Sequence, residues 1–523
     1  MADNAAAAKP RRLWRADTMV AAGILASRLS GLARTAIFSF FFGLQSDAAD
    51  AFSAAVRIPN LLQNLFGEGA LSGSFIPIHA ALRAQGRDED AAQAARTVFA
   101  LLMLLISVLV LIGVLTTPLL IPVIANGFTG EKRELTIRLV RVLFPGAGLL
   151  VAAAWCLAVL NSHGKFLLSY ASGIAWNVGM IGALLLFGPG NRYQLDHLAV
   201  MLAWGSVVGS FLQFAVQAPM AFRLSSTGGG LGLSAPVRRA VRDFFPVLTS
   251  RGAVQISAFV DQYIASYLPK GAVTGLTNTS TIYTLPVSLF GISVSAAQLP
   301  ALSRDAAFAQ TTRLRERIDD GLERLAFFVV PSAVAFAAVG DVIAGVLLQH
   351  GRFRAEDSRI IWGMLAGSAI GLVASTQSRL YSVAHYALGD TKKPLRFALV
   401  RIALVTVLGY LCALVIPPRI GVPAMWGTAG LTGSAGLAGW IEFALLRNSL
   451  NRRIGPTGLS FSRMAVLWGS AVAGAAVAWG VRLAIPWTDP LVRGALILPA
   501  FGATYLACTA ALGVDVKRQL LRG

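Results

Sequence analysis

The chain is predicted to be an all-α polytopic membrane protein of about fourteen transmembrane helices. They are expected to form two six-helix lobes related by a pseudo-two-fold axis along the membrane normal, plus two extra C-terminal helices. Three observations carry this reading. Only 13% of the 523 residues are charged while 55% are hydrophobic, and mean hydropathy is +0.65; soluble proteins carry roughly 25% charged residues. Apolar runs of about 20 residues, the length a helix needs to cross a bilayer core, recur along the whole chain. Short motifs also repeat at a nearly constant spacing.

The elements follow in order. Residues 1–17 are Ala-rich and basic, with no short apolar core closed by a small-residue cleavage site, and read as a cytoplasmic tail rather than a signal peptide. Spans are expected at 18–43, 51–81, 97–125, 136–160, 166–188, 197–222, 240–268, 276–302, 323–349, 360–387, 395–416, 421–446, 462–484 and 492–513. Domain limits follow: an N-lobe at 18–222, a cytoplasmic linker at 223–239, a C-lobe at 240–446, spans 13 and 14 within 447–513, and a cytoplasmic tail at 514–523. Of the 45 Lys and Arg residues, 27 fall in loops or at span ends on the side of the N-terminus and 11 in the opposite loops or at their span ends. That asymmetry places both termini in the cytoplasm. The net charge of +20 suits loops facing anionic lipid, and no soluble domain is present to bind nucleic acid.

The repeat has three pieces. Ala26-Ser27-Arg28 is echoed by Thr249-Ser250-Arg251, Leu65-Phe66-Gly67 by Leu289-Phe290-Gly291, and Ile76-Pro77 by Leu299-Pro300, at offsets of 223, 224 and 223. The offset covers six spans, so both copies have the same topology. Spans 13 and 14 lie outside the duplication.

Arg28 and Arg34 sit inside the first apolar stretch and Arg57 inside the second. A guanidinium in hydrocarbon costs roughly 2.5 to over 10 kcal/mol, so these helices are expected to line a wet cavity that handles an anion. Snorkelling to an interface is the alternative, weakest for Arg34 because apolar sequence runs on both sides of it. In span 2, Asn64 and Glu68 fall within about 20° of Arg57 around an ideal helix, and Asn60 flanks them. Pro59, Gly67 and Gly69 interrupt that helix. In span 7, Arg251, Gln255 and Gln262 make a similar stripe, with Asp261 about 80° to one side. Mutual satisfaction, such as an Arg57–Glu68 bond, is the competing explanation. It leaves unexplained why the excess in spans 1, 2 and 7 is positive. Guanidinium forks suit phosphate and carboxylate oxygens, so a diphosphate fits better than a cationic drug. Arg379 follows Ser375-Thr376-Gln377-Ser378 and is read as cavity-facing; Arg141 and Arg401 have no assigned role.

Other classes are disfavoured. Cys156, Cys412 and Cys508 all lie in apolar runs, and the five histidines, His163 and His385 among them, have no metal spacing. Gly228-Gly229-Gly230 lacks the Lys-Ser/Thr of a phosphate loop. No enzyme activity, cofactor or metal is expected, and uphill transport has to draw on an ion gradient or the membrane potential.

These residues resemble a known family. Ser27-Arg28-Leu29-Ser30-Gly31-Leu32-Ala33-Arg34, Asp50-Ala51-Phe52, Pro59-Asn60-Leu61-Leu62 and Glu68-Gly69-Ala70-Leu71-Ser72 are similar to the opening signature of the MurJ (MviN) lipid II flippases. Leu299-Pro300-Ala301-Leu302-Ser303, His350-Gly351-Arg352-Phe353-Arg354-Ala355-Glu356-Asp357 and Tyr386-Ala387-Leu388-Gly389-Asp390-Thr391-Lys392-Lys393-Pro394 resemble its later motifs. The family belongs to the multidrug/oligosaccharidyl-lipid/polysaccharide exporter superfamily. The resemblance implies a cationic cavity from spans 1, 2, 7 and 8 and a groove from spans 13 and 14 for a polyprenyl tail. It implies a bacterial inner-membrane protein that moves undecaprenyl-diphosphate-linked disaccharide-pentapeptide, lipid II, to the outer leaflet. Candidate substrate-binding residues are then Arg28, Arg34, Asp50, Arg57, Asn60, Asn64, Glu68, Arg251, Gln255, Gln262 and Arg379, with Asp261 a candidate for ion coupling. Implied partners are lipid II, membrane lipids and other cell-wall synthesis proteins, with the chain itself a monomer.

Three positions depart from the family pattern: Thr35 where Asp is usual, and Gln63 and about Thr281 where Arg is usual. Arg251 or Arg379 is the expected substitute. Asp261 matches a span-7 Asp tied to sodium in some members, but the partners expected between Val405 and Leu414 are missing. Proton exchange, or charge balance with Arg251, then suits Asp261 better than sodium. Alternatives are a flippase for another polyprenyl-diphosphate glycan, a drug/cation antiporter of the same superfamily, or a non-transporting cell-envelope scaffold.

Overall fold

The computed structural model describes residues 9–189, 194–226, 230–308, 310–484 and 489–521. Residues 1–8 of the tail, Arg192, Gly228, Gly229 and Arg522 lie outside the described residues, as do the side chains of Glu68 and Arg251. The chain packs as two compact units, one holding the chain to Phe42 with Ser46–Phe259, the other Gly43–Gln45 with Val260–Gly523.

The first unit runs α1 (Lys9–Phe42), α2 (Asp47–Ala55), α3 (Arg57–Leu62), a π-helical turn (Gln63–Gly69), α4 (Ala70–Ser74), α5 (Ile76–Ala84), α6 (Asp88–Ala125), α7 (Gly130–Ser162), α8 (Phe166–Ala171), α9 (Gly173–Phe187), α10 (Leu195–Leu224) and most of α11 (Ala235–Ala265). Helix α1 extends back into the stretch read as a tail. Trp155, Val159, Phe75, Leu71 and Ile106 form the core, and Ala240 of α11 packs into it. The first half of α11 is therefore held by this unit, although the repeat offset makes it the counterpart of α1.

The second unit contains α12 (Ala272–Pro286), a π-helical turn (Val287–Ile292), α13 (Ser293–Ala307), α14 (Thr311–Leu348), α15 (Ala355–Ala387), α16 (Lys392–Tyr410), another π-helical turn (Leu411–Val415), α17 (Ile416–Arg419), α18 (Gly427–Ile454), α19 (Phe461–Ala484), α20 (Pro490–Ala511) and α21 (Val516–Leu521). Its core gathers Leu302, Leu325, Leu380, Tyr381 and Leu446. Small residues bring helices together, as in other membrane bundles. A Cβ on Gly179 of α9 would lie 2.5 Å from the Gly209 Cα of α10, and Gly371 of α15 meets Gly436 of α18 as closely.

Among the described residues, ten helical segments are long and apolar enough to cross a membrane, and they match expected spans 3–6 and 9–14. Apolar length alone accounts for ten of the expected fourteen. The expected spans 1, 2, 7 and 8 carry most of the polar residues singled out from the sequence, and spans 2 and 8 are broken into short helices. Both copies of the Leu-Phe-Gly repeat, 65–67 and 289–291, fall within π-helical turns. In the first, close packing explains the need for glycine: a Cβ on Gly67 would lie 2.5 Å from the Ala154 Cβ of α7.

Helix α14 breaks at Val339 (φ −134°, ψ 26°). The carbonyls just before the break are taken up from outside the helix. Trp362 Nε1 of α15 donates to Ala337 O at 2.8 Å, and Trp479 Nε1 of α19 to Ala338 O at 2.9 Å. Arg482 of α19 pairs with Asp341 at 2.9 Å, and the Tyr505 hydroxyl of α20 donates to Phe327 O at 2.6 Å. These bonds seat the two C-terminal helices against α14.

Candidate functional site

In the first unit, Ser27, Ser30, Gly31 and Arg34 follow the i, i+3, i+4, i+7 spacing of one helix face, and that face meets α9. Asn177 Nδ2 donates to Ser30 Oγ at 2.8 Å. The Arg34 guanidinium lies 4.9 Å over the Trp176 ring, with Nη1 3.6 Å from Met180 Sδ. Arg28 sits about 120° around the same helix and is exposed. The two arginines read together from the sequence thus occupy different faces. Thr35, where the family pattern has Asp, is buried and returns its hydroxyl to Gly31 O at 3.0 Å.

Asp50 is 1% exposed and accepts from Lys132 Nζ at 2.7 Å; the same ammonium lies 3.5 Å from Asp47 and 4.2 Å from the centre of the Phe128 ring. Asp50 is thus already paired within the fold. Arg57 is half-buried, and its Nη1 donates to Ala258 O at 2.7 Å. Asn60 is half-buried and Asn64 exposed. The stripe of Arg57, Asn64 and Glu68 assumed α-helical rotation, which does not hold through Gln63–Gly69. The π-helical turn bonds i to i+5 and advances fewer degrees per residue. Gln255 of α11 is half-buried.

In the second unit, Gln262 is fully buried and Asp261 half-buried. Thr281, standing where an Arg is usual, donates to Thr277 O of its own helix at 3.0 Å. Arg379 is exposed. Near it, Tyr283 and Ser375 share a hydroxyl–hydroxyl bond of 2.7 Å, and Arg401 Nε lies 3.2 Å from Glu442 Oε2. Sequence reasoning missed Lys132, Trp176, Tyr283 and Glu442. For Glu442 a signal existed, since it is the sole charged residue in the apolar run from Gly427 to Leu446. No group of three or more His, Cys, Asp or Glu able to hold a metal occurs among the described residues.

Bundled apolar helices, with three segments interrupted by π-helical turns and with cations within the apolar sequence, define a multi-pass membrane transporter. Solved structures share this fold: "Lipid II flippase MurJ, inward closed conformation" aligns with a TM-score of 0.76 over 94% of this chain and 98% of that one, at 21% identity. An inward-facing multidrug resistance MATE family transporter of the MOP superfamily aligns at 0.63, over 81% and 95%, at 16% identity. The profile of the family described as lipid II flippase MurJ matches residues 38–489. A "Probable lipid II flippase MurJ" of Rhizobium tropici is 30% identical over 533 residues, 96% of each chain. The "Lipid II flippase MurJ" of Burkholderia cenocepacia is 30% identical over 402 residues, covering 74% of this chain and 76% of that protein. The chain belongs to the lipid II flippase MurJ family, and is accordingly a multi-pass protein of the bacterial inner membrane.

Proposed function

We propose that this protein carries lipid II from the cytoplasmic to the outer leaflet by alternating access, with both termini in the cytoplasm and without chemical change to the lipid. The observation that carries the reading is the family match from residue 38 to 489. Arg28 adds chemistry to it, because an exposed guanidinium within an apolar span suits a diphosphate. Arg34 and Arg57 are already engaged by Trp176, Met180 and Ala258 O, so their part is to hold the site in shape and supply field. Apolar side chains of α19 and α20 such as Val472, Leu483 and Leu491 are exposed, which suits a polyprenyl tail. The protein acts as a monomer beside other cell-wall synthesis proteins.

The test is depletion of the protein followed by an assay of lipid II accessible at the outer leaflet. Loss of accessible lipid II is expected. Unchanged accessibility would rule the reading out.

A further inference from the structure

Four helices of the second unit bring an unusual set of polar groups together. Arg379 lies on α15, eight residues from the helix end at Ala387, or about 12 Å along the axis. Arg401 lies nine residues inside α16, about 14 Å from its start at Lys392. Glu442 is twelve residues, or about 18 Å, from the end of α18 at Ile454. Tyr283 of α12 completes the set through its 2.7 Å bond to Ser375 of α15. All sit well inside segments otherwise built from apolar residues, where each charge is costly.

The charges do not cancel. Arg401 and Glu442 form one pair at 3.2 Å, with 29% and 15% of their side chains exposed. Arg379 interacts electrostatically with Tyr283, Arg401 and Glu442, yet among the described residues it has no ion-pair partner of its own. Its neighbours Thr376, Gln377, Ser378 and Leu380 are buried while Arg379 itself is exposed. Arg379 is thus within electrostatic range of groups on three other helices and still has accessible surface. A structural ion pair needs one guanidinium, and the second is left over.

We propose that Arg379 and Arg401, with the Tyr283 hydroxyl, form an oxyanion-binding subsite inside the second unit. Glu442 is its built-in counter-anion, occupying Arg401 until a ligand oxyanion replaces it. The ligand class is a phosphate or carboxylate, since both match the guanidinium fork. This deepens the transport reading and rests on it for the source of the anion: the diphosphate of the lipid-linked precursor or a carboxylate of its peptide. A resident carboxylate balances the Arg401 charge in the empty state and weakens the bound state, which favours release.

The test uses the full-length purified protein and three probes: inorganic pyrophosphate, undecaprenyl diphosphate, and acetyl-Lys-D-Ala-D-Ala. Binding is followed by thermophoresis, with the melting midpoint of each variant recorded. Arg379→Gln should weaken the bound anion at least about tenfold, as expected for loss of a charge-assisted bond. Arg379→Lys should recover part of it. Glu442→Gln should tighten binding several-fold, because it frees Arg401. Pyrophosphate binding without peptide binding assigns the subsite to the diphosphate, and the reverse assigns it to the peptide. Binding of none of the probes by the wild type, or an Arg379→Gln protein that binds as wild type, overturns the proposal. Where Glu442→Gln does not fold, the Arg379 pair of variants decides. Outer-leaflet accessibility of lipid II tests the transport reading separately.

Discussion

Lys132 Nζ and Asp50 Oδ2 lie 2.7 Å apart, across 82 positions of sequence, with the carboxylate 1% exposed. The pair ties the start of α2 to the start of α7. Asp50→Asn leaves Lys132 with only the more exposed Asp47 at 3.5 Å, so it should cost about 1–3 kcal/mol and lower the melting midpoint. Asp50→Asn with Lys132→Met should restore much of the loss. A fully stable Asp50→Asn protein that fails only in transport would return Asp50 to the substrate contacts.

Arg28 and Arg34 should both be required, for different reasons. Arg28→Ala and Arg34→Ala are each expected to abolish complementation of a flippase-deficient strain, with membrane levels near normal for Arg28→Ala. Trp176→Ala should weaken function in the manner of Arg34→Ala, because a cation over an indole in a dry setting contributes about 1–2 kcal/mol. Full growth with Arg28→Ala would remove that residue from the anion contacts.

The packing at Gly67 predicts a steep size limit. Gly67→Val should destabilise the protein by about 1–3 kcal/mol or more through overpacking against Ala154 of α7. Detergent melting and expression levels report this. A normally stable Gly67→Val protein would show that the π-helical turn can shift.

Coupling should not require sodium. Within the expected seventh span, Asp261 lies eighteen positions from the other acid, Asp243, and a lone carboxylate supplies too few oxygens for a hard cation. Flipping in sealed vesicles should persist when potassium replaces sodium at fixed potential. A loss of tenfold or more would reveal a site with further ligands.

Stability should fall as pH drops below the ordinary histidine range. Burial lowers the pKa of His163, just past the end of α7; the Val159 carbonyl opposes this, and Arg83 and Lys165 add to it. As pH falls through about 6.5, the unfolded chain takes up a proton that the folded chain resists, and the folded state loses ground. The slope of melting midpoint against pH between about 7.5 and 5.5 should be shallower in His163→Gln. An unchanged slope would assign the effect to other groups.

Ten spans were legible because apolar length is a local property. The broken helices were legible only in part. Pro59, Gly67 and Gly69 marked an interruption in span 2, but whether it would be a kink or a wider turn depends on how closely α7 approaches, and no residue within that segment records it. The Leu-Phe-Gly repeat was visible as a spacing, and the structure gives it a shape. Among the site residues, side-chain chemistry was readable and partners were not: Trp176 engages Arg34 from 142 positions away, and Lys132 finds Asp50 through the packing of α7. Topology alone carried one unused hint, because the expected alternation puts Asp50 and Lys132 at the same membrane face.

The break in α14 at Val339 gives the last two helices a meaning that their place outside the duplication would not suggest. Ala338's carbonyl is satisfied by Trp479 and Asp341's charge by Arg482, both of α19. A chain cut before α19 would not be a smaller version of the same machine, for it would leave the Ala338 carbonyl and the Asp341 carboxylate without these partners, and an unpaired buried polar group costs kilocalories. The unduplicated pair is thus wired into the duplicated body.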